Sequence, residues 1–411
     1  MTKPNVVIVG GGMITHDQIL PSLFHLQRNG GLGDIHISAR YGRTLRQLAD
    51  AWTIEEAFPG QRFIAHPSLE EDPDQIHPEL YKEAIKALPP QSIVVIAIPD
   101  QVHFEVIKFA LQCEQHVLCV KPLVQLYRQA VEIEKEAYGK GLVVGVEYHK
   151  RLDDRALIAR RQYRQGHFGE FKIGHAEMNE PYYYRDSNFQ NWFTCENSDM
   201  FTYVGCHYVD QVYCITGLKP TSVSVYGIKD KFPNGNEGYL WTDGRVIWEN
   251  GACLNVTNIL GYPDEGPGGN FQGLRMYFAG KGQNGMLVHN DQNRGIEHCY
   301  VERGGEPGAT YFAQPNPDYF KYIDLGGPGL NPVGYGYRSI ELIVNNIRQC
   351  IGKSLADRQV LLRQFDASGI MATPKNSSVN ELVTEAARLS IINGGKQVEI
   401  HYGETPGVSL K

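Results

Sequence analysis

Two short apolar runs that end at proline turns constrain the fold of this chain most. Residues 93–98 lead into Pro99, and residues 117–120 lead into Lys121 and Pro122, with a predicted helix between the two runs. All-apolar runs of this kind are typical of strands buried on both faces of a parallel sheet. Ligands bind outside the carboxyl ends of such strands. Lys121 is therefore a candidate for proton transfer.

Strands and helices alternate over the first 150 residues. This alternation predicts a doubly wound parallel sheet, the Rossmann arrangement of an α/β protein. The predicted strands are 6–9, 35–39, 92–98, 115–120 and 142–147, and the predicted helices are 17–27, 45–52, 78–88, 102–112 and 126–140.

A different pattern follows Arg151 and predicts a second α/β domain over residues 151–411. Longer strand-like runs with Gly- and Pro-rich connections favour a large, open, mostly antiparallel sheet that binds substrate and forms oligomer contacts. The final helices are free to pack back on the first domain, and residues 304–337 are interpreted as a long ordered loop. The predicted helices are 154–165, 339–350 and 379–392, and the predicted strands are 171–179, 221–228, 245–249, 253–260, 272–279 and 285–288.

Composition excludes several classes of function. A net charge of -7 argues against nucleic acid as the main partner. No run approaches the ~18 apolar residues of a membrane span, and the N-terminus lacks the apolar core of a secretory signal. The eight cysteines form no C-x-x-C pair, which favours reduced thiols in the cytoplasm. We expect no metal site, because His149 and Asp153 have no third ligand nearby in the sequence.

A glycine turn follows the first strand and opens the first helix. Gly10 permits a tight turn, Gly12 lets the backbone approach a pyrophosphate, and Met13 and Ile14 begin the helix whose N-terminus attracts that charge. Thr15 occupies the third glycine position of the fingerprint, so helix and strand are expected to lie slightly further apart. This context predicts a dinucleotide site.

The second strand lacks the acidic residue that binds a ribose 2′-hydroxyl in NAD enzymes. Ser38, Arg40 and Arg43 follow instead, and a guanidinium matches the geometry of a 2′-phosphate. Arg40 can equally stack on the adenine of NAD. The cofactor is thus NAD or NADP, with a slight preference for NADP.

Four stretches together resemble the Gfo/Idh/MocA family (glucose-fructose oxidoreductase, inositol 2-dehydrogenase and rhizopine catabolism protein). They are residues 9–12, 98–103, 117–123 and 203–210. The resemblance implies a Rossmann domain followed by an α/β domain with an open sheet. It also implies NAD(P)-linked oxidation or reduction of a sugar, polyol or related carbinol.

The resemblance also implies roles for individual residues. Lys121 matches a lysine that hydrogen-bonds the substrate oxygen, and His207 matches a histidine that acts as general base, with Asp210 one helical turn further on. The expected cofactor-binding residues beyond the glycine turn are Ile98, Pro99, His103, Lys121, Pro122 and Trp192. Trp192 can equally belong to the core.

This sequence departs from the family at two of these positions. Val120 replaces a Glu before the lysine, and Tyr203 replaces a catalytic Asp of many members. Tyr203 keeps a hydroxyl that can contact substrate, and Asp199 or Glu196 is a possible spatial replacement for the carboxylate. Tyr148 and His149, at the end of the last strand of the first domain, are the further candidate substrate contacts.

The favoured function is an NAD(P)-dependent oxidoreductase acting on a secondary alcohol of a sugar, cyclitol or glycoside. One alternative is a redox-neutral sugar- or glycoside-modifying enzyme with tightly bound NAD(P). The other is a non-catalytic regulator that senses NAD(P). We expect a homo-oligomer, a dimer or tetramer, formed through the open face of the second sheet.

Overall fold

The computed structural model describes residues 3–280, 283–290, 298–301, 310–313 and 319–411. They form two compact units. The first contains Met1–Ala156, Tyr322–Glu385 and His401–Val408, and the second contains Leu157–Lys321, Ala386–Ile400 and Ser409–Lys411.

The first unit contains a parallel sheet of six strands in the order β3-β2-β1-β4-β5-β6. The strands are β1 (Val6–Val9), β2 (Ile35–Ser38), β3 (Ile64–His66), β4 (Ile93–Ile96), β5 (His116–Val120) and β6 (Val144–Glu147). β1, β4 and β6 are buried along their whole length, as expected for strands covered on both faces. The predicted doubly wound sheet is confirmed. β3 was not predicted, because this three-residue edge strand has no apolar run.

Helices connect these strands. They are α1 (Leu20–Arg28), α2 (Gly42–Ala49), α3 (Trp52–Ala57), α4 (Leu80–Lys86), α5 (His103–Gln112) and α6 (Tyr127–Lys140). A π-helical turn, Thr15–Ile19, precedes α1. The single helix predicted over 45–52 is wrong: the extended backbone of Ala51 separates α2 from α3.

The second sheet has eight strands in the order β12-β11-β7-β10-β9-β8-β17-β18. Every register determined in it is antiparallel except that of β7 with β10, so the predicted mostly antiparallel sheet is confirmed. The strands are β7 (Glu170–Pro181), β8 (Pro220–Lys231), β9 (Glu237–Trp248), β10 (Cys253–Tyr262), β11 (Phe271–Gly280), β12 (Gln283–Asn290), β17 (Val398–His401) and β18 (Gly407–Leu410). β9 begins eight residues before the predicted 245–249.

The remaining elements include two small two-stranded sheets and seven helices. The strands are β13 (His298–Val301), β14 (Thr310–Ala313), β15 (Lys321–Ile323) and β16 (Asn331–Val333). The helices are α7 (Asp154–Arg164), α8 (Phe189–Trp192), α9 (Cys206–Thr216), α10 (Tyr335–Cys350), α11 (Leu355–Ser368), α12 (Pro374–Ser377) and α13 (Val379–Ile392). The predicted loop 304–337 lies partly outside the described residues, and its described part contains β14 to β16 and the start of α10.

Helix α10 completes the core of the first unit although it lies far along the chain. Its residues Ile340, Ile343, Val344 and Ile347 pack in one cluster with side chains of β1, β2 and α1. Within the described ranges, no helix combines the length and apolar character needed to cross a membrane.

Candidate functional site

The turn after β1 requires glycine at residue 10. Gly10 has a φ of +112°, and a Cβ there would overlap the carbonyl oxygen of Ala97 at the end of β4. The Gly10 N–H donates to the carbonyl of Ser38, the last residue of β2, at 2.8 Å. The turn is therefore held tightly between the ends of β2 and β4.

Gly12, one of the predicted cofactor-binding residues, lies in open surroundings. A Cβ added at Gly12 would meet no described atom within 4 Å, so a ligand can approach the backbone there. Thr15 closes the turn from the other side, because its hydroxyl donates to the Gly10 carbonyl at 2.7 Å and its N–H donates to the Gly12 carbonyl at 3.0 Å. Met13 is exposed and Ile14 is half-buried beside the cradle.

The side chains at the end of β2 and after it differ in their burial and in their contacts. Ser38 is buried, whereas Arg40 and Arg43 are exposed. The Arg43 guanidinium lies 4.6 Å from the centre of the Tyr41 ring and 3.2 Å from a carboxylate oxygen of Asp74. This exposed ion pair is weak, but it partly neutralises Arg43 and leaves Arg40 as the more available cation for a phosphate.

His103 ties together the turns that follow β4 and β5. The ring is buried at the start of α5, with Nε2 at 2.8 Å from the Ile98 carbonyl and Nδ1 at 2.9 Å from the Pro122 carbonyl. Its contacts bring Ile98 and Pro99 close to the Lys121–Pro122 turn. His103 thus fixes the relative position of two predicted cofactor-binding segments.

Two glutamates of α13 hold the segment after Lys121. The Leu123 N–H donates to Glu381 at 3.2 Å, and the Tyr127 N–H, at the start of α6, donates to Glu385 at 3.0 Å. Lys121 itself is half-buried. Burial raises the pKa of the neighbouring Cys119 thiol well above its usual value, with Glu381 and Asp100 adding to the effect. Cys119 is therefore protonated and a poor nucleophile.

Glu147, the last residue of β6, is buried and accepts hydrogen bonds from three directions. Gln18 donates to one carboxylate oxygen at 2.8 Å, and Ser339 donates to the same oxygen at 2.6 Å. Nδ1 of His149 lies 3.0 Å from the other oxygen. Sequence reasoning placed Glu147 at the end of the last strand of the first domain but gave it no role, and it did not identify Ser339, because their contact joins residues 192 positions apart.

The predicted substrate contacts Tyr148 and His149 follow directly. Both residues are largely buried, and the His149 ring stacks on Tyr335 with centroids 5.5 Å apart. Lys150 is also buried, and its ammonium lies 5.8 Å from the centre of the Tyr335 ring. This segment is therefore part of a packed polar cluster at the carboxyl end of β6.

In the second unit, His207 and Asp210 are buried in the first two turns of α9. A π-helical turn, Phe201–Gly205, leads directly into this helix. Asp199 begins the turn: its two carboxylate oxygens accept from the N–H of Thr202 at 2.8 Å and from its hydroxyl at 3.0 Å. Asp199 therefore acts as the cap of this helical segment, and Glu196 is exposed.

Tyr203 belongs to an aromatic cluster of the second unit. Its ring centroid lies 5.1 Å from that of Phe189, 5.8 Å from that of Trp192 and 5.7 Å from that of Phe193. Tyr184 stacks on Phe189, and burial raises its pKa well above the usual value. Trp192 is half-buried and thus contributes to this cluster while keeping part of its ring accessible.

Residues 4–148 match a family model, GFO_IDH_MocA, described as an oxidoreductase family with an NAD-binding Rossmann fold. An uncharacterized oxidoreductase of Schizosaccharomyces pombe, C26H5.09c, is 30% identical over 132 residues, which are 32% of this chain and 35% of that protein. YhhX of Escherichia coli, also an uncharacterized oxidoreductase, is 28% identical over 170 residues, 41% of this chain and 47% of that protein. The chain thus spans less than half the length of either relative.

Solved structures share the fold over nearly the whole chain. GenD2 from gentamicin A biosynthesis, in complex with NAD, superposes with a TM-score of 0.66 at 15% identity and covers 98% of this chain and 97% of its own. The scyllo-inositol dehydrogenase of Lactobacillus casei gives 0.62 at 12% identity, covering 97% and 98%. The myo-inositol 2-dehydrogenase of Lactobacillus plantarum gives 0.61 at 15% identity, covering 97% and 100%. At these identities the likeness concerns the fold.

Proposed function

We propose that the chain is a member of the Gfo/Idh/MocA oxidoreductase family, whose model matches residues 4–148, and that it is an NAD(P)-dependent dehydrogenase. Its substrate is a secondary alcohol, or the corresponding ketone, of a sugar, cyclitol or glycoside. The observation that carries the proposal is the Gly10–Gly12 turn, whose open cradle fits a pyrophosphate. The inositol dehydrogenases among the structural neighbours support the substrate class.

Different residues of the first unit would bind successive parts of the cofactor. Gly10, Gly12, Met13 and Ile14 would bind the pyrophosphate, and Ser38, Arg40 and Arg43 would contact the adenosine ribose. Ile98, Pro99, His103 and Pro122 complete the set in the first unit, and Trp192 of the second unit is a further proposed cofactor contact. Since no acid follows β2, we favour NADP slightly over NAD. When bound, the nicotinamide supplies a hydride donor or acceptor.

The protein's own groups handle the substrate oxygen. Lys121 would hydrogen-bond the reacting oxygen through its ammonium and so orient the carbinol. A histidine would transfer the proton. The motif over residues 203–210 contains His207 for this role, with Asp210 and Tyr203 as neighbouring polar contacts. Tyr148 and His149 are the proposed substrate contacts from the first unit.

The test is turnover by the purified full chain with oxidised NAD or NADP and a panel of sugars, cyclitols and glycosides. We expect reduced nicotinamide to appear at its characteristic absorbance with at least one substrate. Lys121→Ala and His207→Ala should abolish turnover while cofactor binding, measured by calorimetry, persists. Lys172→Ala is the control, because Lys172 pairs with Glu170 on the surface of the second unit.

Each of the two alternative functions predicts a different experimental result. Tight cofactor retention, with substrate consumed but no net nicotinamide reduction, would replace the proposal by the redox-neutral enzyme. Unchanged biological function after both substitutions would favour the NAD(P)-sensing regulator.

We also propose that the protein is a homo-oligomer formed through the open face of the second sheet. Met286, Tyr277 and Ile173 are cross-strand neighbours on β12, β11 and β7. Their exposed fractions are 58%, 38% and 41%. An exposed apolar row of this kind favours burial against another chain.

A further inference from the structure

The turn between β2 and α2 is covered by the connection from β3 to α4. The Arg43 N–H donates to the Pro73 carbonyl at 3.0 Å, and Tyr41 pairs with Ile76 in an antiparallel bridge. A Cβ added at Gly42 would lie only 3.2 Å from the Cα of Pro73. The connection is thus fixed closely against the turn.

This connection contains an acidic segment, residues 70–74. Its carboxylates belong to Glu70, Glu71, Asp72 and Asp74. The Ser68 N–H donates to Glu71 at 2.8 Å, and the Asp74 N–H donates to Asp72 at 3.0 Å. Glu71 and Asp72 thus bind backbone groups of their own connection. A carboxylate oxygen of Asp74 lies instead 3.2 Å from the Arg43 guanidinium.

Arg43 lies in the first turn of α2, which packs against the glycine turn of the proposed cofactor site. A Cβ added at Gly11 would lie 3.4 Å from the Thr44 hydroxyl oxygen and 3.2 Å from the Leu45 side chain. The proposed function gives the adenosine ribose its contacts at the end of β2 and the start of α2. A phosphate on the ribose 2′-oxygen is therefore expected beside Arg43.

Arg43 offers a single guanidinium to two competing anions. The 2′-phosphate of NADP carries about two negative charges, and a guanidinium binds phosphate through paired hydrogen bonds. Because the Asp74 carboxylate already lies against this guanidinium, a phosphate binds Arg43 fully only after displacing it. The 2′-hydroxyl of NAD carries no charge and does not need to displace the carboxylate.

The exposure of the pair separates its effect on binding from its effect on folding. The side chains of Arg43 and Asp74 are 56% and 70% exposed, and exposed ion pairs stabilise a fold little. Tyr41 supports the cations separately, because its ring centre lies 4.6 Å from the Arg43 guanidinium and 5.9 Å from that of Arg40. Removing the charge of Asp74 should therefore leave both arginines in place.

We propose that Asp74 is a cofactor-selectivity residue, which competes with the 2′-phosphate of NADP for Arg43 and has little effect on NAD. This inference rests on the proposed function, because that function supplies the position of the adenosine ribose. It limits the preference for NADP that the absence of an acid after β2 favours.

The first experiment measures binding directly and needs no substrate. The purified full chain is titrated with NADP and with NAD by calorimetry at low salt in a phosphate-free buffer. Asp74→Asn keeps the shape of the side chain and removes its charge. Its dissociation constant for NADP should fall by about tenfold, and that for NAD should stay within about threefold. Thermal unfolding checks the fold, and Asp74→Ser is a second variant should Asp74→Asn not fold.

The matched control removes the same charge from the same exposed segment. Glu70 is exposed, and Glu70→Gln should leave both dissociation constants within about threefold. An equal gain in NADP affinity for Glu70→Gln and Asp74→Asn would show that net charge is responsible and would overturn the role of Asp74.

The second experiment tests whether Asp74 acts through Arg43. Arg43→Ala should weaken NADP binding by about tenfold and leave NAD binding within about threefold. In the Arg43→Ala background, Asp74→Asn should no longer improve NADP binding, because the cation for which the two anions compete is absent. An improvement as large as in the unmodified background would overturn the inference.

The outcomes also separate this inference from the proposed function. An unmodified protein that binds NAD or NADP, together with an Asp74→Asn variant whose ratio of NADP to NAD affinity is unchanged, would reject the role of Asp74 alone. An unmodified protein that binds neither dinucleotide would reject the proposed function, and this inference with it.

Discussion

Gly10 and Gly12 serve different purposes within one turn. At Gly10 both the positive φ and the neighbouring Ala97 carbonyl exclude a side chain. At Gly12 no described atom would touch an added Cβ, so the protein itself does not require glycine there. The space at residue 12 is therefore open to the proposed cofactor.

This contrast predicts opposite effects of two alanine substitutions. Gly10→Ala should lower the melting temperature, because the Cβ displaces the end of β4 and strains the backbone. Gly12→Ala should leave the melting temperature within about 2 °C and weaken cofactor binding by about tenfold or more, since the methyl group fills the cradle. Differential scanning calorimetry and titration calorimetry measure the two effects. Equal affinity of Gly12→Ala and the unmodified protein would contradict the assignment of the cradle.

His116 on β5 links stability to pH. Burial lowers its pKa from the usual 6.5 to about 3, with the charge of Arg358 adding to the effect. His116 therefore binds a proton more readily in the unfolded chain than in the folded one. Its neutral form consequently leaves the unfolding free energy at its full value above pH 6.5, and the unfolding free energy declines as the pH falls from 6.5 towards 3. Its Nδ1 accepts from the Val143 N–H at 2.9 Å, an acceptor that asparagine can replace.

We expect His116→Asn to reduce the pH dependence of the unfolding free energy. Between pH 7.5 and 5 the unmodified protein should lose about 2 kcal/mol more of its unfolding free energy than the variant. Urea unfolding at the two pH values measures the difference. Parallel losses in the two proteins would show that His116 is not the responsible group.

Sequence reasoning identified candidate site residues from their neighbours in sequence, and it did not identify contacts between residues that are distant in sequence. The glycine turn, His103 and the Lys121 turn are recognisable from neighbours within a few positions. Glu381 is not, because it meets Leu123 across 258 residues. Asp199 was considered as a catalytic replacement, whereas the structure shows it capping the turn before α9. That capping pattern, an Asp three residues before the Thr whose N–H it accepts, is a signal that the sequence does contain.

Helix α13 acts on the Lys121 segment through two acids one turn apart. Glu381→Ala leaves the Leu123 N–H without its acceptor, so the Lys121 turn should loosen and kcat should fall by about tenfold. Glu381→Gln keeps an acceptor oxygen and should restore most of the activity.

The neighbouring acid provides the control for this prediction. Glu385→Ala removes the acceptor of Tyr127 at the start of α6 and should cost about 1 kcal/mol of stability, with kcat nearly unchanged. Steady-state kinetics and urea unfolding of the three variants measure both effects. Similar kcat values for Glu381→Ala and Glu385→Ala would show that the Lys121 turn does not depend on α13.

At the level of elements, sequence analysis predicted those strands and helices whose burial produces a clear pattern of apolar residues. The core strands β1, β4 and β5 are continuous apolar runs, and α5 and α6 have the expected helical spacing. The edge strand β3 lacks such an apolar pattern, and its Ile64 is 46% exposed. Helix α11 was not predicted, and of its residues only Leu362 is buried. An exposed helix has little apolar periodicity for sequence reasoning to detect.

At the level of the whole molecule, the exposed row on the second sheet predicts a concentration-dependent oligomer. Ile173→Asp, at the β7 end of the row, should shift the sedimentation profile to a smaller species, since an unpaired charge in an apolar contact is unfavourable. Leu325→Asp is the control, because Leu325 is 72% exposed in the first unit. An unmodified protein that sediments as a monomer at all concentrations would contradict the prediction.

The return of residues 322–385 to the first unit has a consequence for biosynthesis. Ser339 and Glu381 reach their partners in β6 and the Lys121 turn only after the second sheet's strands β7 to β12 have been translated. On the ribosome, the first unit therefore cannot complete these contacts until the strands of the second sheet have been synthesised. We expect the late chain segments to determine when the newly made chain can first bind the proposed cofactor.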